Sequence, residues 1–450
     1  MQSLLLVLFT FFFSVYIIYS PGLIVSETLD ALNIAIASIC SIALFVQPNR
    51  SYSLYKIFHL FVLFFFCIAP AIQYKNQVQL LSTVFEERDY IKASVYILFS
   101  LILFNICYFI LYYVYNRKTG NSLIKKKRRK KRVKFYYIDK NAELKMVFIS
   151  LFVFLLVFYM NRFSILSMLF RGGEYVSRVS MGRTYDLVIT QFLRPMVMVV
   201  FLSVNLLGLK RKSIKFLLFL LFVLTDFPTG LPRFSVAAMY LPVILWNVPI
   251  LRKKNMFVLV MIFGILVIFP FLNNFRRYSI GDTLSFGFDF SQFSQLHFDS
   301  FSEFMRVLSA DIVTNGRQLL GALLFWIPRS VWPEKPIGSG AFVAREAELD
   351  FGNISMPYIG EGYINFGLLG VIAFVILIAY MSERVDSWYW TSVFNNKDRI
   401  IDNIGYFIVI ALFLFILRGD LLSGTAYTCG FLSSYWFIRH WVLKKRIASS

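Results

Sequence analysis

Residues 92–132 read KASVYILFSLILFNICYFILYYVYNRKTGNSLIKKKRRKKR. From 92 to 116 the only charge is Lys92, and about 20 apolar residues suffice to cross a bilayer core as a helix. The end of the stretch, Lys125–Arg132, is an unbroken basic run. Another apolar stretch follows at 145–163. Short basic connections stay on the cytoplasmic side, so this is a helical hairpin whose link faces the cytoplasm. The run itself is a solvated loop that touches anionic lipid headgroups, or else a docking site for a partner or nucleic acid.

Working outward, comparable stretches lie at 2–20, 29–47, 54–72, 188–209, 214–226, 233–251, 255–272, 362–381, 402–418 and 421–441. The expectation is an all-α polytopic membrane protein with about twelve spans; 214–226 is the shortest of them. The first stretch has the length of a signal peptide but lacks a basic start, and SPGLIVSETLD contains no small-x-small cleavage pattern. It is read as a retained span.

Composition agrees. The chain is 58% hydrophobic, with 51 Phe, and 16% charged, against about 25% charged in soluble domains. Mean hydropathy is +0.66. The net charge of +21 would otherwise suggest nucleic acid, but so much apolar surface excludes an ordinary soluble binder, and no nucleic-acid partner is expected.

Alternating outward from Lys125–Arg132 places Asn49–Lys56, Lys210–Lys215, Arg252–Lys254, Glu383–Arg399 and Lys444–Arg446 on the same side, with both termini cytoplasmic. The charge then divides. Inside are 29 basic and 6 acidic residues (+23), outside 17 basic and 19 acidic (−2), and the two sum to +21. The outer cations are 14 Arg and 3 Lys, whereas the inner ones are 18 Lys and 11 Arg. Outer positive charge opposes the insertion bias, and the guanidinium fork suits phosphate or carboxylate. An anionic ligand outside is one reading; pairing with the outer carboxylates or snorkelling to headgroups is the other.

The chain divides into four N-terminal helices (1–116), the basic cytoplasmic loop (117–144), five helices (145–272), a large outer loop (273–361) and three final helices with a cytoplasmic tail (362–450). A connection as long as 273–361 is usually functional. In it, His297–Asp311 has Phe301, Phe304, Met305 and Leu308 at helical spacing, and Leu319–Ile327 is too short to span and stops at Pro328. Both are expected to be short helices, the latter at the outer interface. Another outer segment carries Arg171, Arg178, Arg183 and Arg194. The four cysteines lie in predicted spans without metal or redox spacing, and no P-loop or dinucleotide glycine pattern occurs.

Ile327–Gly338, IPRSVWPEKPIG, holds Arg329 and Lys335 between prolines beside Trp332; prolines restrict the backbone, so both cations sit at fixed positions. A membrane-interface anchor is the alternative. Ile359–Gly370, IGEGYINFGLLG, opens the next span with Glu361 at the membrane edge, as a charge at a helix N-terminus or a base in a cavity. Thr229–Arg233 (TGLPR), Asn273–Tyr278 (NNFRRY, with Arg276 and Arg277) and Arg418-Gly419-Asp420 share the outer face. The last reads as an ion pair or a site element rather than an adhesion motif.

These residues resemble a known family. IPRSVWPEKPIGSG followed by GEGYINFG, together with TGLPR, NNFRR, the Asp311/Arg317 stretch and the late RGD turn, is similar to the Wzy-type oligosaccharide repeat-unit polymerases of O-antigen and capsule synthesis. The resemblance covers about residues 160–440. It implies a GT-C-like glycosyltransferase of the bacterial inner membrane that moves a growing glycan from undecaprenyl diphosphate onto a lipid-linked repeat unit at the outer face. Its partners would be those lipid-linked oligosaccharides and membrane lipid, with a chain-length regulator and a flippase as candidate protein partners. Under that reading Arg233, Arg276, Arg277, Arg329, Lys335 and Arg418 bind the diphosphate. Glu361, then Asp311 and His297, are candidates for the base, with Asp420 last, and Trp332, Tyr363, Arg317 and Asp420 contact substrate or interface. No cofactor and no metal are expected: Glu27/Asp30 and Glu87/Asp89 are weak as metal pairs, and arginine is available for the diphosphate. An O-antigen ligase-like transferase and a lipid-linked oligosaccharide flippase or exporter are the alternatives. Transporters usually show repeated halves and midplane polar residues, which are not evident here.

Overall fold

The computed structural model describes residues 2–47, 50–125, 133–170, 178–276, 287 and 290–448. The order is α1 (Gln2–Ile18), α2 (Glu27–Val46), α3 (Leu54–Lys75), α4 (Glu87–Lys125), β1 (Val133–Tyr137), α5 (Lys140–Met160), α6 (Thr184–Leu207), α7 (Lys212–Thr225), α8 (Arg233–Asn247), α9 (Met256–Asn273), α10 (Ser300–Ser309), α11 (Arg317–Leu323), α12 (Ser339–Glu346), α13 (Tyr358–Val393), α14 (Asp402–Arg418), α15 (Leu421–Phe437) and β2 (Lys444–Ala448). Among the described residues the fold is 76% helical, and eight helical segments are long and apolar enough to cross a membrane: α2–α6, α9, α13 and Lys212–Gly230, which joins α7 to the short turn after it. The other four expected spans also form helices, but shorter ones, of 17 residues in α1, 15 in α8 and 17 each in α14 and α15.

Local sequence explains many of the boundaries. Ser26, Ser53, Asp139 and Asp420 each cap a helix start by accepting a backbone N–H three residues on, the role for which short oxygen-bearing side chains are preferred. Inside α3, α6 and α9 the helix widens to a π turn at Phe64–Ile68, Ile189–Leu193 and Gly264–Ile268. Each precedes a proline, at 70, 195 and 270. A proline ring clashes with the carbonyl four residues earlier and offers no N–H to it; the wider turn relieves that conflict without ending the helix.

Two apolar cores result. One joins α1–α4, α9, α10, α12 and α13; the other joins α5–α7 with α15; α8 and α14 contribute to both. Helix α3 lies at the centre of the first, with 94% of its apolar window buried, which explains an apolar character on every side.

Residues 293–308, 343–344 and 354–356 pack into the first core. Helix α10 is buried from Ser300 through Leu308, including Ser302, Glu303 and Arg306. The polar side of the amphipathic pattern therefore meets protein. Glu303 pairs with Arg306 at 3.0 Å, Arg306 donates to Thr83 Oγ1 at 2.8 Å, and Gln73 of α3 donates to the Phe293 and Phe298 carbonyls.

At one end of the bundle the basic connections meet. Ser51 donates to the Arg252 carbonyl, Arg50 to Ser387, and Arg439 pairs with Asp402 at 2.8 Å. Arg211 pairs with Glu143 at 3.0 Å, and β1 pairs antiparallel with β2, with Tyr137 opposite Lys444. This ribbon ties the end of the basic loop to the C-terminal tail, a pairing the loop's charge pattern did not suggest. The run Lys126–Arg132 lies outside the described residues.

Candidate functional site

At the opposite end, a cavity of about 370 Å³ opens between α8, the junction of α14 and α15, and segments 296–297 and 351–355. Four of the sequence-predicted residues line it: Arg233, His297, Arg418 and Asp420. Phe234, Phe415 and Tyr427 supply aromatic walls, and Asn353, Ser355 and Ser423 supply further polar groups.

Arg233 is positioned by the sequence TGLPR. Pro228–Gly230 makes a short 3₁₀ turn, and Pro232, at φ −58° and ψ 142°, directs the chain into α8 with Arg233 as its first residue. A cation at a helix N-terminus opposes the helix dipole, so other contacts must hold it. Arg233 donates Nη1 to the Phe269 carbonyl at 2.8 Å, and its guanidinium lies 4.1 Å from the Phe269 ring centroid, a cation–π geometry.

Arg418 ends α14, where the dipole favours a cation. It donates Nε to the His297 carbonyl at 3.0 Å and Nη2 to the Asp299 carboxylate at 2.9 Å. Its ring contact is Phe234, 5.1 Å away. Sequence proximity suggested an Arg418–Asp420 pair; the structure pairs Arg418 with Asp299 instead. Asp420 is occupied as the cap of α15, accepting from Ser423 N at 2.8 Å and Ser423 Oγ at 2.9 Å. Arg418 Nη2 also donates to the Leu296 carbonyl at 3.3 Å.

Glu361 stands behind this wall and does not line it. It is 1% exposed, accepting from Leu421 N at 2.7 Å and Ser339 Oγ at 2.8 Å. As expected, Glu361 is a carboxylate in the first turn of a candidate span, α13; that helix breaks at Phe366–Gly367, and Glu361 sits in the short piece before the break. The carbonyls of Ile364 and Asn365 that end this piece are taken by Thr314 N and Gly316 N. Glu361 thus ties the start of α12 to the start of α15. A Cβ on Gly338 would lie 2.8 Å from Asp420 Oδ1, so glycine lets the loop approach that closely.

The proline-rich loop closes on itself. Arg329 donates to the Lys335 carbonyl at 2.6 Å and the Pro336 carbonyl at 3.2 Å; Lys335 donates to the carbonyls of Phe325 and Ile327. Both cations therefore staple the loop and do not line the cavity. Burial, aided by the neighbouring Arg329 charge, lowers the Lys335 pKa from its ordinary value. Trp332, half-buried, donates its backbone N–H to the Pro328 carbonyl within the same loop.

Asp311 is exposed and accepts from the Tyr363 hydroxyl at 2.6 Å, away from the cavity; Arg317, also exposed, starts α11. Arg276 ends a 3₁₀ turn after α9, its side chain outside the described residues, as is the whole of Arg277. The sequence reading missed Asp299, which is 2% exposed and whose other oxygen accepts from Ser355 N at 3.0 Å. It falls inside 297–311, the stretch expected to be helical, and the helix begins one residue after it, at Ser300.

A separate cavity of about 300 Å³ is lined by Asn161, Arg178, Asp186, Thr190 and Arg194, among others. Arg194 pairs there with Asp226 at 2.9 Å. Arg88, Arg306 and Arg345 also pair with carboxylates, so a share of the predicted outer arginines does serve the structural role. Among the described residues no group of three or more His, Cys, Asp or Glu side chains converges.

No family model, curated protein or solved structure matches the chain.

Proposed function

We propose that this protein is a Wzy-type polysaccharide polymerase, a GT-C-like glycosyltransferase whose twelve helices span the bacterial inner membrane with both termini in the cytoplasm. The observation that carries the reading is the convergence of Arg233, His297, Arg418 and Asp420 on one cavity, at the end of the bundle remote from the basic connections.

The chemistry follows from what the cavity presents. Two guanidinium groups with aromatic neighbours suit a lipid diphosphate. An acceptor hydroxyl attacks the anomeric carbon, the new glycosidic C–O bond forms, and the bond from that carbon to the diphosphate breaks with its electron pair leaving on oxygen. Arg233 and Arg418 stabilise this developing charge. The hydroxyl proton passes to a base in the cavity, a role the geometry favours for His297. One displacement inverts the anomeric configuration. In this reading Glu361, Arg329 and Lys335 are positioning residues that hold the wall.

Deleting the gene in its host and resolving the surface glycan on a gel tests the function. Single-repeat products in place of a ladder support the polymerase. Total loss of surface glycan points to a flippase, and long glycan retained on the lipid carrier points to a ligase. Arg233→Ala should abolish the ladder at normal membrane levels; an intact ladder removes Arg233 from the mechanism.

A further inference from the structure

We infer that the basic end of the molecule carries a binding site for one anionic glycerophospholipid, its acyl chain in the groove between α5 and the end of α15 and its phosphate on the cations that border it. The groove has a volume of about 450 Å³ and is walled by Leu144, Phe148 and Ile149 on one side and by Phe437, Trp441 and Val442 on the other. Lys145 is the only charged residue lining it among the described residues. Leu144, Phe148 and Trp441 are 70%, 69% and 64% exposed.

Apolar side chains facing lipid are ordinary in a membrane protein; charge at the mouth of the groove selects the occupant. Lys145 reaches the Trp441 carbonyl at 3.5 Å, and Lys444, Lys445 and Arg446, all exposed, follow directly in β2. Three acids at this end are engaged: Asp139 caps α5 by accepting from Ala142 N at 2.7 Å, Glu143 pairs with Arg211, and Asp402 pairs with Arg439 and Arg399. Asp398, in the 397–399 turn against β1, forms no ion pair among the described residues. Lys145, Lys444, Lys445 and Arg446 likewise have no carboxylate partner among the described residues, so four unpaired cations face one unpaired acid and the mouth stays net positive. Tryptophan at the groove's polar end and basic residues just beyond match the depth profile of a phospholipid, with chain, interface and phosphate in sequence. The β1–β2 ribbon fixes the tail cations there, since Tyr136 of β1 accepts from Arg439 Nε at 3.0 Å.

The test reconstitutes the full-length protein in phosphatidylcholine bilayers that contain brominated phosphatidylglycerol or, at equal mole fraction, brominated phosphatidylcholine. Bromine quenches tryptophan on contact, and subtracting the signal of Trp441→Phe isolates Trp441. Brominated phosphatidylglycerol should quench Trp441 at a roughly fivefold lower mole fraction, the factor that about one engaged cation contributes. Replacing Lys145, Lys444, Lys445 and Arg446 with Ala should equalise the two lipids while phosphatidylcholine still quenches. High salt should narrow the wild-type preference without any substitution. Equal quenching by the two lipids in the wild type overturns the site, as does a preference indifferent to both the substitutions and salt. Absence of quenching by either lipid shows the groove covered by protein and likewise overturns it.

Discussion

Arg418 donates to the Asp299 carboxylate at 2.9 Å, bridging 119 residues of sequence. Because Asp299 also accepts from Ser355 N, one buried carboxylate joins the end of α14, the start of α10 and the segment that covers the cavity. Removing one partner of a buried ion pair leaves the other desolvated and costs about 3–5 kcal/mol. Asp299→Ala should therefore lower the melting temperature in detergent markedly, and Asp299→Asn, which keeps an acceptor for Ser355, should lower it less. Arg418→Lys cannot reproduce the forked contact to the His297 carbonyl and Asp299 together; membrane levels should hold while the glycan ladder fails. Equal melting temperatures for Asp299→Ala and wild type would refute the structural part of this account.

Glu361 separates a positioning role from a base. A glutamine there can still accept from Leu421 N and donate to Ser339 Oγ, whereas alanine leaves the Leu421 N–H unpaired at a cost of about 1–3 kcal/mol. Glu361→Gln should thus keep the ladder and near-normal thermal stability, and Glu361→Ala should lose both. A stable Glu361→Gln protein without a ladder would instead make the carboxylate itself chemical.

Much of this arrangement was legible in the sequence. The twelve apolar runs all became helices near their expected places, because continuous apolarity bounded by charge leaves the backbone few alternatives in lipid. TGLPR and RGD were singled out as outer-face cation sites, and their arginines share one cavity. What escaped was pairing across distance. Asp420 is the nearest acid to Arg418 along the chain, yet a residue that begins a helix is drawn to its own N–H groups, and the distant Asp299 takes the guanidinium. That the polar side of α10 meets protein was not legible, because periodicity shows that a helix has two faces without identifying what the polar one meets. The β1–β2 ribbon joins residues 133–137 to 444–448, and nothing local in either strand names the other.

Burial pushes the Glu303 carboxyl from 4.5 up to about 7, against the pull of Arg306. With the folded value above the unfolded one, the unfolded chain releases this proton first as pH rises. The associated stability is complete below about 4.5 and lost as pH passes about 7, a change on the order of 3 kcal/mol. Glu303→Gln cannot ionise. Its melting temperature relative to wild type should climb between about pH 5 and 7 and then level off; a difference flat with pH would refute the raised carboxyl.

Gly367 isolates a backbone effect. Its φ of 60° and ψ of −144° lie where L side chains are strained, yet a Cβ there would meet nothing within 4 Å. Gly367→Ala therefore carries no packing penalty, and its cost should be the conformational one of about 1–3 kcal/mol. Gly352 offers the matched control, with equally open space and no left-handed φ. If the break in α13 is set by Gly367, Gly367→Ala should melt lower than Gly352→Ala. It should also expose residues 314–317 to protease, because Thr314 and Gly316 bond the carbonyls that the break presents. Indistinguishable melting temperatures would mean that the contacts around Ile364 and Asn365, and not the glycine, impose the break.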